Sequence, residues 1–140
     1  MRNTTLVSIV VPTRNSAATL ANCLQSIKLQ SYENIEVIVV DNNSSDNTKE
    51  IATRFTSHVY NHGPERSAQR NFGLMKVAQG SVFSYIDSDM ILGPEVVAQA
   101  LAVLARGNVG VYVPEIILAP GFIGRVRRFE RRAYDSTSID

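Results

Sequence analysis

Several features are scarce or missing in this sequence, and each absence excludes a class of protein. The only cysteine is Cys23, so no disulfide can form within the chain, and we expect a reducing, cytoplasmic setting. The net charge of +1 gives no overall field that would attract nucleic acid. No apolar run reaches about 18 residues, and residues 1–5 are too short and polar to begin a secretory signal. The sequence predicts neither a transmembrane helix nor export.

Glycine-rich phosphate-binding signatures are missing too. The turn after the first apolar run reads PTRNSAAT (12–19), and neither G-x-G-x-x-G nor G-x-x-x-x-G-K-[ST] occurs in the chain. This disfavours dinucleotide-binding and P-loop sites. It also argues against a nucleotidyltransferase, which would carry a glycine-rich, basic signature after its first strand.

Four unbroken and mainly β-branched apolar runs are present, at 6–11, 35–40, 81–86 and 109–113. Such runs predict strands that are buried on both faces of a mostly parallel sheet. Segments with helical spacing of apolar residues lie between them, so strands and helices alternate. The sequence predicts an α/β fold, with one domain over residues 1–120.

Helix starts can be placed from polar residues. Ser16 stands where it could cap the first helix, and Asn47 with Glu50 resembles a capping box for the second.

Polar segments follow three of the predicted strands. They read PTRN (12–15), DNNSSDNT (41–48) and DSD (87–89). Because ligands of open parallel sheets bind outside the carboxyl ends of the strands, we expect one rim to gather Thr13, Asn15, Asp41, Asn43, Asp87 and Asp89.

The acidic pair of the third segment suggests a metal site. Asp87 and Asp89 can reach one ligand only if they lie in a turn. Mg²⁺ and Mn²⁺ prefer carboxylate oxygen and complete their shell with phosphate and water, so the pair predicts a diphosphate held through a metal ion. The alternative is a simple turn before a helix. Arg66 and Arg70 would meet the remaining phosphate charge, or else form a solvated helix face.

Asp41 directly follows the second strand. A carboxylate at this place can accept the ring N–H of a base more strongly than a neutral turn residue could. The alternative is that the whole segment 41–48 is a loop that caps a helix.

Four segments taken in order resemble the consecutive nucleotide-sugar motifs of GT-A glycosyltransferases of family 2. They are VSIVVPTRN, IEVIVVDNNSSDNT, SAQRNFGL and AQGSVFSYIDSDM, and the resemblance covers about residues 6–114. It implies a GT-A (Rossmann-like) fold, incomplete at the C-terminus, and a divalent cofactor, Mg²⁺ or Mn²⁺. It also implies in-line transfer with inversion, from a UDP-sugar or alternatively a GDP-sugar, to the hydroxyl of a saccharide or lipid-linked acceptor.

The resemblance also implies residue roles. The Pro12–Thr13 turn and Asp41 would hold the nucleoside, Asp89 the metal, and Asp87 the ribose or the metal. Either Arg66 or Arg70 would lie near the pyrophosphate. The full predicted nucleotide-sugar site comprises Pro12, Thr13, Asn15, Asp41, Asn43, Arg66, Arg70, Asp87, Ser88 and Asp89.

One departure from the family pattern concerns the general base. The family supplies it as an acidic residue well downstream of the acidic motif, and no carboxylate after Glu95 lies in a matching motif. We therefore expect the base to be absent from this chain, which would be the donor-binding part of a longer enzyme. The alternative is a nucleotide-sugar-binding module without turnover.

Residues 121–140 differ in character and are expected to begin an acceptor half. Phe122, Val126, Phe129 and Ala133 have helical spacing, and residues 125–134 hold five arginines and one glutamate. This pattern predicts a basic amphipathic helix. It would cover the core with a solvated basic face, or alternatively contact anionic lipid at the inner membrane face through 121–134.

Overall fold

The structure is a computed structural model, and it describes residues 5–115. Strands and helices alternate along the chain, as the sequence predicts. A single π-helical turn, Gly73–Val77, directly continues the third helix. The elements are β1 (Val7–Thr13), α1 (Leu20–Lys28), β2 (Ile35–Asp41), α2 (Thr48–Thr53), β3 (Val59–Asn61), α3 (Arg66–Phe72), β4 (Val82–Tyr85) and α4 (Val96–Leu104).

The four strands among the described residues are parallel, in the order β3-β2-β1-β4, which confirms the predicted parallel α/β sheet. β1 lies in the interior of the sheet and all seven of its residues are buried, which explains its unbroken apolar sequence. Its register pairs Thr13 with Asp41 on β2 and Val10 with Tyr85 on β4. The carboxyl ends of β1 and β2 therefore lie side by side.

Helix α3 and the π-helical turn cover one face of the sheet. Val10, Ile38 and Val40 form the buried cluster beneath them, and Phe72 and Leu74 pack against it. Gly73 makes this close approach feasible, since a Cβ there would lie 2.6 Å from Cγ1 of Val10. This packing holds α3 over the sheet, with its first turn at the carboxyl ends of the strands.

A partly buried polar network closes the amino end of the sheet. Oε1 of Glu36 accepts hydrogen bonds from the Ser8 hydroxyl and from the backbone N–H groups of Gln79 (2.6 Å) and Gly80 (3.0 Å). Burial opposes ionisation of Glu36, but these bonds and the nearby His58 outweigh it and hold its pKa below the ordinary value of 4.5. The segment before β4 is thereby fixed to β1 and β2.

Two sequence predictions need correction or completion. The predicted strand at 109–113 is wrong, because the structure has no strand there and Val109 and Tyr112 are exposed. Its β-branched residues favour extended backbone, but a strand also needs a pairing partner, and none of the residues 5–115 provides one. The sequence reading also missed β3, whose three residues are too few for a periodic pattern.

The predicted basic helix at 121–134 lies outside the described residues. Within residues 5–115, no helix has the length and apolar character needed to cross a bilayer. The chain divides after Gln99 into two compact units, and the sheet belongs to the first.

Candidate functional site

The loops that follow β1 and β4 meet the first turn of α3 around a pocket of about 350 Å³. Gln69 lies in its wall, together with residues of the β1–α1 loop. Seven of the ten predicted site residues also line it: Pro12, Thr13, Asn15, Arg66, Asp87, Ser88 and Asp89. The other three predicted residues do not line the pocket: Asp41, Asn43 and Arg70.

Asp41 is fully buried and its carboxylate is enclosed by partners. Thr13 donates its hydroxyl to Oδ1 at 2.9 Å, and Ser44 donates both its backbone N–H (2.9 Å, to Oδ2) and its hydroxyl. Nζ of Lys49 lies 3.6 Å from Oδ2. In this arrangement Asp41 organises the start of the β2–α2 loop, and a contact with a base would require Ser44 or Lys49 to give way.

Asn15 joins the β1–α1 loop to the β2–α2 loop. Its side-chain oxygen accepts the N–H of Ser45 at 2.8 Å, and its own N–H donates to the hydroxyl of Ser44 at 2.8 Å. Asn15 has a φ of 49°, in the left-handed region that asparagine tolerates better than most residues. The predicted Asn15 therefore shapes the rim through the neighbouring loop as well as lining the pocket.

Asn43 faces away from the pocket wall, toward the end of β3. Its side-chain oxygen accepts from the amide of Asn61 at 2.6 Å, and its backbone N–H donates to Asn61 Oδ1 at 3.1 Å. Like Asn15 it has a φ of 49°. The contacts of Asn43 thus connect the β2–α2 loop with the last residue of β3.

Asp46 fixes the other end of the β2–α2 loop, although it is exposed. It accepts the hydroxyl and the N–H of Thr48 on Oδ1 and the N–H of Ala17 on Oδ2 at 3.1 Å. The hydrogen bond from the Thr48 hydroxyl is the main reason that the pKa of Asp46 lies below its ordinary value of 3.8.

The acidic segment after β4 forms the turn that its two carboxylates require. The N–H of Met90 donates to the carbonyl of Asp87 at 3.0 Å, and the hydroxyls of Ser88 and Ser16 lie 2.9 Å apart. The thiol of Cys23 lies 3.6 Å from the Asp87 carbonyl. The turn is thus supported by α1 and by the β1–α1 loop.

Asp87 is paired with both predicted arginines. Arg66 Nη1 lies 3.1 Å from Oδ2 and Arg70 Nη2 lies 2.7 Å from Oδ1, so each carboxylate oxygen has one guanidinium partner. The Arg70 guanidinium also lies over the ring of Tyr85, 4.1 Å from its centroid. Arg70 is therefore held in place beneath the rim, whereas the Arg66 side chain is 66% exposed at the pocket.

Asp89 is exposed at the pocket, in contrast to the paired Asp87. Among residues 5–115 no group of three or more His, Cys, Asp or Glu side chains converges as a metal cage. Mg²⁺ commonly binds one or two carboxylates and takes its other ligands from substrate phosphates and water. A pair of carboxylates on an open turn has the donor set for such an ion.

Three residues with close contacts to the site escaped the sequence reading: Ser44, Lys49 and Gln69. Ser44 and Lys49 reach Asp41, and the side chain of Gln69 is buried between the ends of β1 and β2. Gln69 lies three residues after Arg66, which places both on one helix face. This spacing could have identified Gln69 as a site residue from the sequence.

Comparisons with known proteins agree on one family. The model of glycosyl transferase family 2 matches residues 8–138. Among the similar proteins, glycosyltransferase GlyG of Streptococcus pneumoniae serotype 4 is 38% identical over an alignment of 95 positions that covers 62% of this chain and 31% of GlyG.

Two solved structures have the same fold at comparable identity. Staphylococcus aureus TarS in complex with UDP-GlcNAc has a TM-score of 0.65 and 26% identity, over 82% of this chain and 38% of that one. The mannosyltransferase PcManGT from Pyrobaculum calidifontis, in complex with GDP-Man and Mn²⁺, has a TM-score of 0.65 and 27% identity, over 72% and 32%. The chain spans less than half the length of each of these relatives.

Proposed function

The chain belongs to glycosyl transferase family 2, and from this premise we propose that its pocket binds a nucleotide-diphosphate sugar for transfer of the sugar to an acceptor hydroxyl. The observation that carries this proposal is that the acidic turn 87–89 and Arg66 line one pocket side by side. Carboxylates that hold a cation and a guanidinium that meets phosphate oxygen are complementary to a metal–diphosphate group.

The nucleoside would lie at the ends of β1 and β2. Pro12 and Thr13 line the pocket there, and Asp41 is hydrogen-bonded to Thr13. We propose that the base reaches Asp41 by displacing Ser44, whose hydroxyl and N–H are donors as a base N–H would be. A UDP-sugar is the favoured donor and a GDP-sugar the alternative, a choice that the ligands of the TarS and PcManGT complexes support.

The diphosphate would lie between the acidic turn and α3. Asp89 is the proposed metal ligand, and Asp87 would contribute an oxygen to the metal or the ribose. Arg66 would turn from Asp87 toward the phosphates, whereas Arg70, held between Asp87 and Tyr85, would keep the turn in place. A bound Mg²⁺ or Mn²⁺ would supply neutralisation of the charge that develops on the leaving diphosphate.

We further propose direct in-line attack by the acceptor hydroxyl, with inversion at the anomeric carbon. This step needs a base to take the acceptor proton. The carboxylates described after the acidic turn are Glu95 and Glu115, and neither lines the pocket. We therefore assign no catalytic base, and we propose a saccharide or a lipid-linked molecule as the acceptor.

Two measurements on one sample test the proposal. Calorimetry should give UDP binding that strengthens at least tenfold on addition of Mn²⁺, with GDP and CMP as comparison nucleotides. A UDP-sugar hydrolysis or transfer assay then separates an enzyme from a binding module without turnover. Failure of UDP and GDP to bind with or without Mn²⁺ would contradict the proposed function.

A further inference from the structure

Gln69 joins the carboxyl ends of the two strands beside the pocket. Its side chain extends from α3, and the amide nitrogen donates to the carbonyl of Thr13 on β1 at 2.8 Å and to the carbonyl of Val40 on β2 at 2.6 Å. Both partners are carbonyl oxygens, so the atom that faces them must be the amide nitrogen. The side chain is buried, with only 3% of the residue exposed.

The two carbonyls belong to the backbone that carries the proposed nucleoside site. The Thr13 hydroxyl donates to Asp41, and the Thr13 carbonyl also accepts the N–H of Asn42 at 2.9 Å. Gln69 therefore sets the spacing of the segment in which Thr13 and Asp41 meet. Among the described residues no donor reaches the remaining oxygen of its amide, and Gln69 contributes to the pocket wall.

We propose that Gln69 is the positioning residue of the nucleoside site: its bridge between the Thr13 and Val40 carbonyls holds the Thr13–Asp41 pair in the geometry that receives the nucleoside. The inference rests on the proposed function for its ligand, but the positioning itself is a property of the free protein. Without the bridge two buried carbonyls lose a donor, and the strand ends can separate. Small displacements of that kind are costly in binding and catalysis.

A second buried glutamine provides a matched control. Gln30 donates its amide to the carbonyls of Ser26 (3.1 Å) and Gly93 (2.7 Å), and its oxygen accepts the N–H of Val97. It is 7% exposed and does not line the pocket. Replacing either glutamine by methionine removes a buried bridging amide at similar volume, so the two variants should lose similar stability.

The first measurement is the affinity for UDP with Mn²⁺, together with the melting temperature, for Gln69→Met and Gln30→Met. We expect the dissociation constant to rise at least tenfold in Gln69→Met and by less than twofold in Gln30→Met. Equal UDP affinity in the two variants would show that Gln69 contributes to stability alone, and it would overturn the inference.

The second measurement needs no ligand. Hydrogen exchange of the Asn42 and Ser44 amides reports the bonds that these groups donate to Thr13 and Asp41. Exchange at both should accelerate in Gln69→Met and not in Gln30→Met. Unchanged exchange would overturn the inference even if UDP binds well. If wild-type protein bound no nucleotide, the proposed function would fail, while accelerated exchange would still support positioning by Gln69.

A third variant adds a pH signature. Gln69→Glu keeps the shape but places a carboxyl group against two carbonyls, where burial raises its pKa. The ionised carboxylate has no hydrogen to donate, whereas the protonated carboxyl group can donate to one of the two carbonyls. UDP affinity of this variant, divided by that of wild type at the same pH, should improve as pH falls from about 8 to about 6, whereas the ratio for Gln69→Met should stay flat. Parallel ratios would contradict the role of the bridge.

Discussion

Each end of the sheet holds a hydrogen-bonded carboxylate, partly buried at the amino end and fully buried at the carboxyl end, and the partners of these carboxylates differ. At the amino end, Glu36 accepts bonds from Ser8, Gln79 and Gly80, which belong to strands or to the entry of a strand. At the carboxyl end, Asp41 accepts bonds mainly from Ser44, which belongs to a loop. A similar set of donors therefore stabilises the scaffold at one end and shapes a ligand loop at the other.

The two ends of the sheet also differ in their cavities. The groove at the amino end, lined by the end of α1, the first residues of β2 and the segment after α2, has about 400 Å³ and is slightly larger than the pocket at the carboxyl end. Its charged side chains include Lys28, which lies over Phe55, Glu36, which lies 3.7 Å from His58, and the exposed Glu33. The smaller pocket presents Asp89 and the exposed Arg66. Its place at the carboxyl ends of the parallel strands, rather than cavity size, distinguishes the candidate site.

The largest expected effect concerns Asp89 at the carboxyl end. Asp89→Ala should abolish the Mn²⁺-dependent part of UDP binding, a loss of roughly 3 kcal/mol or about 100-fold, because it removes the proposed metal ligand. The fold should persist, since the side chain is exposed. Calorimetry with and without Mn²⁺ measures the effect. Glu33→Ala, which removes an exposed acid at the amino end, is the control, and an equal loss in both variants would contradict the metal assignment.

The next effect concerns stability at the amino end. A Cβ at Gly80 would lie 2.5 Å from the carbonyl oxygen of Leu6 and 2.9 Å from the backbone nitrogen of Ser8. Gly80→Ala should therefore cost roughly 2–3 kcal/mol of unfolding free energy. The control is Gly93→Ala, whose Cβ would meet only Val96, at 3.6 Å. Chemical denaturation compares them, and equal stability would show that β1 adjusts without cost.

A third effect tests the buried carboxylate at the carboxyl end. Asp41→Asn removes the carboxylate charge that would strengthen the bond from a base N–H, so binding of uridine and UDP should weaken by roughly 1.5–3 kcal/mol, with or without metal. Asp46→Asn changes an exposed carboxylate of the same loop. If both variants lose the same affinity, Asp41 acts through loop geometry and has no special relation to the base.

The smallest effect is the acid dependence of Glu36. Its pKa is lower in the folded chain than the ordinary 4.5, so its contribution to stability is present above pH 4.5 and is lost as pH falls through the folded pKa. Glu36→Gln should cost about 1 kcal/mol at pH 7, and the difference from wild type should shrink in acid. Thermal melts at pH 7, 5 and 3.5 test this. A constant difference would mean that the loss is one of packing.

Much of the sheet could be predicted because its longer strands have apolar, strand-forming sequences, although only β1 and the last four residues of β2 are buried throughout and β4 is mostly exposed, contrary to the prediction. The runs at 6–11, 35–40 and 81–86 correspond to β1, β2 and β4 within a few residues. The run at 109–113 has the same composition, so local preference alone could not reveal that it lacks a partner among the described residues.

Helix caps were harder to predict, because neighbouring polar residues compete for the same N–H groups. Asn47 does stand at the N-cap of α2, but its side chain makes no capping bond, and Asp46 accepts the N–H of Thr48 instead. Helix α1 begins only at Leu20, whose N–H donates to the backbone carbonyl of Ser16 rather than to its hydroxyl. The sequence therefore indicated roughly where each helix begins, but not which group accepts its first N–H bonds.

The location of the candidate site at the edge of the sheet could be predicted, but most of the side-chain contacts within it could not. Parallel sheets bind ligands at the carboxyl ends of their strands, and this rule correctly predicted seven of the residues that line the pocket. It could not tell that Asn43 pairs with Asn61, nor that both arginines pair with Asp87, because such contacts depend on side-chain direction. Gln69 escaped notice because its burial follows from the packing of α3.

The surroundings of Cys23 have a practical consequence for labelling. Burial raises the pKa of its thiol to about 12, and the charges of Asp89 and Asp87 add to the effect. Since alkylating reagents react with the thiolate, this cysteine should remain inert to maleimides at neutral pH while the chain is folded. As it is the only cysteine in the sequence, a new one introduced on the surface would accept a fluorophore selectively in the otherwise wild-type chain.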